Sequence, residues 1–113
     1  LKARRIQEKA ASVGFDWDNK NQVLKKVDEE INELKDALDN KCGIEDELGD
    51  VLFTIVNLSR HLNIDPEKSL RLSIKKFSNR FKKIEKNLNA KNIKMKDLSL
   101  NELDKIWEIN KNK

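Results

Sequence analysis

The sequence has few of the residues that punctuate sheets. Its 113 residues include three glycines, one proline and no tyrosine. A β-sandwich or barrel needs frequent turns, so that class is disfavoured on composition. A dinucleotide-binding or P-loop unit needs glycine clusters, and there are none. One cysteine, Cys42, cannot close an internal disulfide, which fits a reducing compartment. No apolar run approaches the roughly 18–20 residues of a membrane span, and no signal-peptide pattern opens the chain. A cytoplasmic protein without a membrane anchor is the expectation. The chain starts at Leu1 rather than Met, so we expect one domain, residues 1–113, that is a fragment of a longer protein.

Charge is what the sequence has in quantity: 39% of residues are charged and 37% hydrophobic, with a net charge of +4. The net value conceals a pattern. Residues 1–15 carry +3, residues 16–50 carry −7, residues 51–81 carry +4 and residues 82–113 carry +4. An acidic block therefore sits between basic flanks. Such a block is either a solvated helix face or a cation site.

Apolar spacing is helical nearly throughout. A first segment, Lys2 to Val13, repeats Ala3, Ile6, Ala10 and Val13, and Gly14 can stop it. Phe15 and Trp17 follow as expected anchors onto the core. A second segment from about Asn21 to Leu38 places Leu24, Val27, Ile31, Leu34 and Leu38 on one stripe. The third, Ile44 to Leu62, is the most apolar and is expected to be central. Asp65-Pro66 reads as an N-cap followed by proline at the first helical position. The fourth helix then runs to about Leu88 on Leu70, Ile74, Phe77, Phe81, Ile84 and Leu88. Ser99-Leu100-Asn101-Glu102 is a capping box that opens a last helix with Leu103, Ile106 and Trp107. The expected fold is all-α, four to five helices without a sheet. So polar a chain exposes many apolar helix edges, so the bundle is expected to be completed by a homodimer.

Two carboxylate clusters fall in the acidic block: Glu29-Glu30-Ile31-Asn32-Glu33 on the second helix and Glu47-Leu48-Gly49-Asp50 on the third. At about 100° per residue, Glu30 and Glu33 border the apolar stripe while Glu29 turns toward solvent. Glu47 and Asp50 also border theirs. The short connection makes the two helices antiparallel neighbours, so these four carboxylates converge near the seam. Converging anions repel unless a cation binds them. Neither cluster has a histidine or thiol, and hard oxygen donors favour Mg²⁺ or Mn²⁺ over zinc. Phosphoryl chemistry is the natural use of such a site. On spacing alone, a solvated acidic face stays open. Di-iron bundles use Glu-x-x-His, and the residue three before the one histidine, His61, is Leu58, so that reading fails.

These words together resemble the MazG family of nucleoside triphosphate pyrophosphohydrolases, within the all-α NTP pyrophosphatase superfamily. The family pattern is EExxE, a short gap, then ExxD. VGFDW at Val13–Trp17, KVDEEINEL at Lys26–Leu34, DELGDVLFTIVNLSRHL at Asp46–Leu62 and KFSNRF at Lys76–Phe81 carry the resemblance, with the Trp107 helix. It covers nearly the whole chain and is strongest to the C-terminal catalytic half of two-domain members. It implies Mg²⁺-dependent hydrolysis of an NTP to NMP and pyrophosphate by water attack at the α-phosphorus, in nucleotide house-cleaning. By motif position it implies Glu30, Glu33, Glu47 and Asp50 as metal ligands, with Glu29 or Glu33 orienting the water. Lys26, Lys76 and Arg80 match phosphate-side cations. Trp107 matches a nucleotide contact, with Lys111 one turn on. One departure is Gly43, where the family can have a lysine; Lys41 is a candidate substitute.

The residues read by themselves leave alternatives. Lys76 and Arg80, one turn apart beside the Phe77–Phe81 stripe, also fit a solvated basic face. Trp107 also fits plain core. Asn57 and His61 share Asp50's angular sector; Asn57 fits a sugar or base contact, and both fit a polar dimer seam. A same-fold enzyme for dUTP, dCTP or phosphoribosyl-ATP shares the carboxylate motif. A non-catalytic helical module binding nucleic acid or a regulatory partner competes on the basic flanks. The −7 block argues against a continuous phosphate-tracking surface, so no nucleic-acid partner is expected.

Overall fold

A computed structural model describes residues 2–111. It contains α1 (Lys2–Ser12), α2 (Lys20–Asn40), α3 (Ile44–His61), α4 (Pro66–Ala90) and α5 (Leu100–Lys111). A 3₁₀ turn, Met95–Asp97, lies between α4 and α5. No strand occurs among the described residues. The fold is all-helical, as composition and spacing predict. It divides into two compact units, Leu1–Ser69 and Leu70–Lys113, and each is described by itself.

Local chemistry explains the helix boundaries. Asn19 caps α2: its Oδ1 accepts from the Gln22 amide at 3.1 Å. Asp65 caps α4, with Oδ1 taking the Glu67 amide at 3.0 Å. The predicted capping box opens α5. Ser99 Oγ accepts from the Glu102 amide and Glu102 Oε1 from the Ser99 amide, both at 3.1 Å. Helix ends share one device. Gly14, Lys41, Asn63 and Asn92 each have a left-handed φ, between 55° and 86°. After each, the next amide reaches five residues back, as in Phe15 N to Ala10 O at 3.0 Å and Cys42 N to Ala37 O at 3.1 Å. This pattern satisfies carbonyls that the helix itself leaves open. α1 thus ends at Ser12 rather than Val13, and α2 extends from Lys20 to Asn40.

In the first unit α2 and α3 pack along each other, and α1 packs on α3. The buried positions correct the predicted stripes. On α2 the structure buries Val23, Val27, Glu30 and Ala37. Leu24, Ile31 and Leu38 are exposed. On α3 the buried residues are Val51, Thr54 and Asn57, while Leu48, Leu52, Ile55 and Leu62 are exposed. On α1 Gln7 is buried and Ile6 exposed. Each of these helices carries an apolar sector wider than one neighbour can cover, and the α2–α3 contact takes only one edge of it. Phe15 is also corrected: it is 78% exposed rather than anchored in the core. In the second unit Ile84 and Leu88 of α4 are buried, and Leu70, Ile74 and Phe77 are exposed.

Candidate functional site

The α2–α3 seam collects the carboxylates. Glu30 sits on the buried edge of α2 beside Val27. Glu47 and Asp50 lie in the first two turns of α3. One carboxylate oxygen from each of Glu30, Glu47 and Asp50 falls within 4.8 Å of the other two. Glu30 is buried, and its Oε2, like Glu47 Oε2, is shut off from solvent with no hydrogen-bond partner. A buried carboxylate oxygen without a donor is costly. Burial, followed by the charges of Glu33, Asp50 and Glu30, holds the Glu47 carboxyl above its ordinary value. Glu33 is exposed and outside the 4.8 Å group, yet close enough for its charge to be felt at Glu47.

Lys26 is the cation beside this cluster. Its Nζ lies 3.2 Å from Glu30 Oε1 and 3.3 Å from Glu29 Oε2. Hydrogen bonds to Glu30 and then Glu29 raise its pKa, so it stays charged. Glu29 is exposed, as its angular position predicts.

The α2–α3 connection explains why the cluster forms. It has three residues, Lys41 to Gly43, and both ends are left-handed. Gly43 takes φ +70° as it leads into α3, a conformation that a lysine adopts with strain. An open concavity of about 660 Å³ borders this corner, lined by Gly43, Ile44, Glu45, Asp46, Gly49 and Asp50. Acidic residues in the first turn of α3, Glu45 to Glu47, complement the positive end of the helix dipole. That field eases the crowding of negative charge here.

Donor set and orphaned oxygens fit a hard divalent cation. Glu30, Glu47 and Asp50 can hold a metal ion. They are all oxygen donors, and two of the three present a buried oxygen with nothing to bind.

Asn57 lies two turns along α3 from Asp50 and is buried. Its Oδ1 accepts from Arg60 Nε at 3.1 Å and Nη2 at 2.8 Å. Arg60 Nη2 also donates to Asp16 Oδ1 at 2.6 Å, and His61 Nε2 lies 3.0 Å from the same oxygen. Burial works against the Asp16 charge, but the contacts from Arg60, His61 and the Trp17 amide outweigh it and hold the carboxyl below 3.8. This knot ties the α1–α2 linker to the end of α3. Sequence reasoning missed it, because residues 16 and 60 carry no shared pattern. It also missed Gln7, which donates from Nε2 to the Phe53 carbonyl at 2.8 Å.

The remaining expected site residues are in the second unit. Trp107 is half-buried, with its ring centroid 4.9 Å from that of Phe77. The Arg80 guanidinium stands 5.7 Å over the Trp107 ring, a cation–π contact. Lys76 and Lys111 are exposed.

Comparison with known proteins decides the family. Residues 18–85 match the model of the MazG nucleotide pyrophosphohydrolase domain. The chain belongs to the MazG family. It is 49% identical over 106 residues to the nucleoside triphosphate pyrophosphohydrolase/pyrophosphatase MazG of Thermotoga maritima, covering 94% of this chain and 41% of that protein. It is 36% identical over 112 residues to the nucleoside triphosphate pyrophosphohydrolase of Escherichia coli K12, covering 96% of this chain and 43% of that one. An uncharacterized protein YabN of Bacillus subtilis is 39% identical over 61 residues, 54% of this chain and 12% of its own length. The chain thus spans about two fifths of the length of the Thermotoga and Escherichia relatives. The MazG match contains both carboxylate clusters, Lys26, Asn57, Lys76 and Arg80, and ends before Trp107 and Lys111.

Proposed function

We propose that this MazG chain hydrolyses a nucleoside triphosphate to the monophosphate and pyrophosphate, with Mg²⁺ as the resident metal and Mn²⁺ as a substitute. One observation carries the reading most: the convergence of Glu30, Glu47 and Asp50 with two buried, partnerless oxygens. The names of the Thermotoga and Escherichia relatives agree with it.

Glu30, Glu47 and Asp50 would hold the metal, with Glu33 joining from the exposed rim of α2. Bound there, a divalent cation would polarise phosphate oxygens and neutralise charge on the triphosphate. Lys26 stays protonated beside Glu30 and offers N–H donors to the substrate's phosphates. Glu29 and Glu33 are the exposed carboxylates of the motif. Either can accept a proton from a water and orient its lone pair toward the α-phosphorus. The bond from that phosphorus to the bridging oxygen breaks, and pyrophosphate leaves with the electron pair. Lys76, Arg80, Trp107 and Lys111 keep the roles that the motif implies, phosphate and nucleotide contacts, as proposals to be tested by substitution.

A homodimer is part of the proposal. Leu24, Ile31 and Leu38 on α2 and Leu48, Leu52 and Ile55 on α3 form exposed apolar flanks, and a second copy would cover them. No described helix is long and apolar enough to cross a membrane.

The test is product analysis. The chain is incubated with a panel of NTPs and dNTPs, with Mg²⁺ or with chelator. NMP plus pyrophosphate, lost with chelator and in Asp50→Asn, supports the proposal. NDP plus orthophosphate refutes the bond assignment. No turnover of any nucleotide, with salt-sensitive binding of nucleic acid, supports a binding module instead.

A further inference from the structure

The fourth helix carries a charge pattern that the site above does not use. Residues 66–90 hold eight basic residues and two acidic ones. At about 100° per residue, Arg71, Lys75, Lys82 and Lys86 fall within one sector of about 60°. All four are exposed. No acidic residue of α4 falls in that sector; Glu67 and Glu85 lie between it and the apolar side. Lys76 and Arg80, the expected phosphate-side cations, lie about 100° or more round the helix from its centre.

Three features set this stripe apart from an ordinary solvated face. The first is its single sign. A helix surface gains stability by mixing charges three and four residues apart, as α2 does where Lys26 meets Glu29 and Glu30. The stripe instead sets Arg71 four residues before Lys75, and Lys82 four before Lys86, like-charged spacings that weaken a helix. None of the four forms an ion pair among the described residues. The second is its length. Arg71 to Lys86 is a rise of about 22.5 Å at 1.5 Å per residue. One strand of a duplex carries a phosphate about every 3.4 Å, so roughly six fall within that span. The third is where the apolar side goes. Ile84 and Leu88 are buried, and the Phe77 ring lies 4.9 Å from that of Trp107 on α5. That side is about 130° round the helix from the stripe. A helix that lies on a bilayer buries its apolar face there, so a lipid surface met by the stripe would miss the side it needs. The basic run also continues past the helix, where Lys91, Lys94 and Lys96 are exposed.

We propose that the stripe of Arg71, Lys75, Lys82 and Lys86 docks the phosphodiester backbone of a nucleic acid. Each side chain neutralises one phosphate and releases its counterion. No aromatic residue stands in the sector, so the contact positions a strand without stacking on or reading its bases. The −7 block that argues against a continuous phosphate-tracking surface lies in residues 16–50, and none of it is on α4. The inference uses none of the carboxylates and does not rest on the hydrolase reading.

The experiment uses the 113-residue chain and fluorescence anisotropy. The probes are a labelled RNA strand of about 20 nucleotides and a labelled DNA duplex of about 20 base pairs, in chelator so that no metal bridges phosphates to carboxylates. Four phosphate contacts predict a slope of log affinity against log salt of about −3.6 for the duplex and about −2.8 for the single strand. From about 50 to 200 mM salt, that is a loss of roughly 150-fold and 50-fold. Tighter binding of one probe names the source of the backbone, and either supports the stripe. The variant Arg71→Gln/Lys75→Gln/Lys82→Gln/Lys86→Gln is expected to bind at least about tenfold more weakly at the low-salt end, with a nearly flat slope. Lys82→Gln/Lys86→Gln should halve the duplex slope to about −1.8, a readout that survives if the fourfold variant loses helix by circular dichroism. Lys2→Gln/Lys9→Gln/Lys25→Gln/Lys35→Gln removes the same net charge from exposed positions on other helices, and its binding should stay within about threefold of wild type. Equal losses in the two fourfold variants would assign binding to bulk charge and overturn the stripe. So would no binding of either probe at about 50 mM salt. Tighter binding of phosphatidylserine vesicles, or of polyglutamate, would name a membrane or an acidic protein instead and overturn the nucleic-acid assignment. Nucleotide turnover is scored separately, so the failure of either reading leaves the other standing.

Discussion

Replacing Glu30 by glutamine tests the metal reading without emptying the α2–α3 seam. The side chain keeps its size, so a change reports charge rather than a cavity. Two electrostatic consequences oppose each other in the metal-free chain. At 4.8 Å, the separation that bounds the cluster, one like-charged pair such as Glu30–Asp50 costs about 3.5 kcal/mol at an effective dielectric of 20. The Glu30–Lys26 attraction at 3.2 Å is worth about 5 kcal/mol by the same arithmetic. Removing the Glu30 charge forfeits the second and relieves the first, together with the repulsion from Glu47. The net change without metal is therefore small, and the melting temperature is expected to move by no more than a few degrees. Metal behaves differently. At a hundredfold excess over its dissociation constant, a ligand that binds only the folded state adds about 2.7 kcal/mol. For a domain near 100 residues that is a rise on the order of 10 °C. The assay is thermal unfolding by circular dichroism in chelator and across a Mg²⁺ series. Wild type should show the rise, and Glu30→Gln should lose most of it while melting near wild type in chelator. If the variant keeps the full Mg²⁺-dependent rise, Glu30 is not a ligand and the buried orphan oxygen has another explanation.

Three further predictions concern the fold around the site. Asp16 has a folded pKa below its ordinary 3.8, so its stabilising effect is complete above that value and is lost as pH falls through the depressed one. Asp16→Asn should lower stability at neutral pH by about 2 kcal/mol, the scale of charge-assisted hydrogen bonds, and flatten the acid limb of a urea-midpoint-versus-pH curve below about pH 4; an unchanged limb would refute the Asp16–Arg60 assignment. Lys41 is left-handed at φ 55°, so Lys41→Gly should stabilise the chain by about 1 kcal/mol in chemical denaturation; destabilisation would mean that its side chain holds the turn. Ile31→Glu places a charge on the exposed apolar flank of α2. Sedimentation should show a dimer for wild type and a monomer for the variant, and two monomers would leave the flank without the proposed second copy.

The sequence was legible where one interaction decides an outcome locally. Asp65 and the Ser99–Glu102 box needed only neighbours within four residues, and both caps stand as read. Helical period and a short connection pointed to a carboxylate cluster at the α2–α3 seam, and Glu30, Glu47 and Asp50 do lie within 4.8 Å of one another there, with Glu33 outside the group. Which apolar edge of α2 meets α3 is another matter. Val23, Val27 and Ala37 are smaller than Leu24, Ile31 and Leu38, and the smaller set faces α3. Hydrophobicity alone favours the larger set, but the close approach of two helices favours side chains that let the backbones near each other. Valine and alanine are buried on α2 while its leucine and isoleucine at positions 24, 31 and 38 stay exposed. The same choice places Glu30 at the buried edge, since it follows Val27 by three residues and precedes Ala37 by seven. Had the large stripe faced α3, Ile31 would occupy the seam and Glu30 would turn toward water. The small-residue seam and the desolvated carboxylate are therefore one feature. A Val27→Leu change that rotates α2 should weaken Mg²⁺ binding without touching a single ligand, readable as a smaller metal-dependent rise in melting temperature. A full rise in that variant would show that Glu30 is placed by its own contact with Lys26 rather than by the packing beneath it.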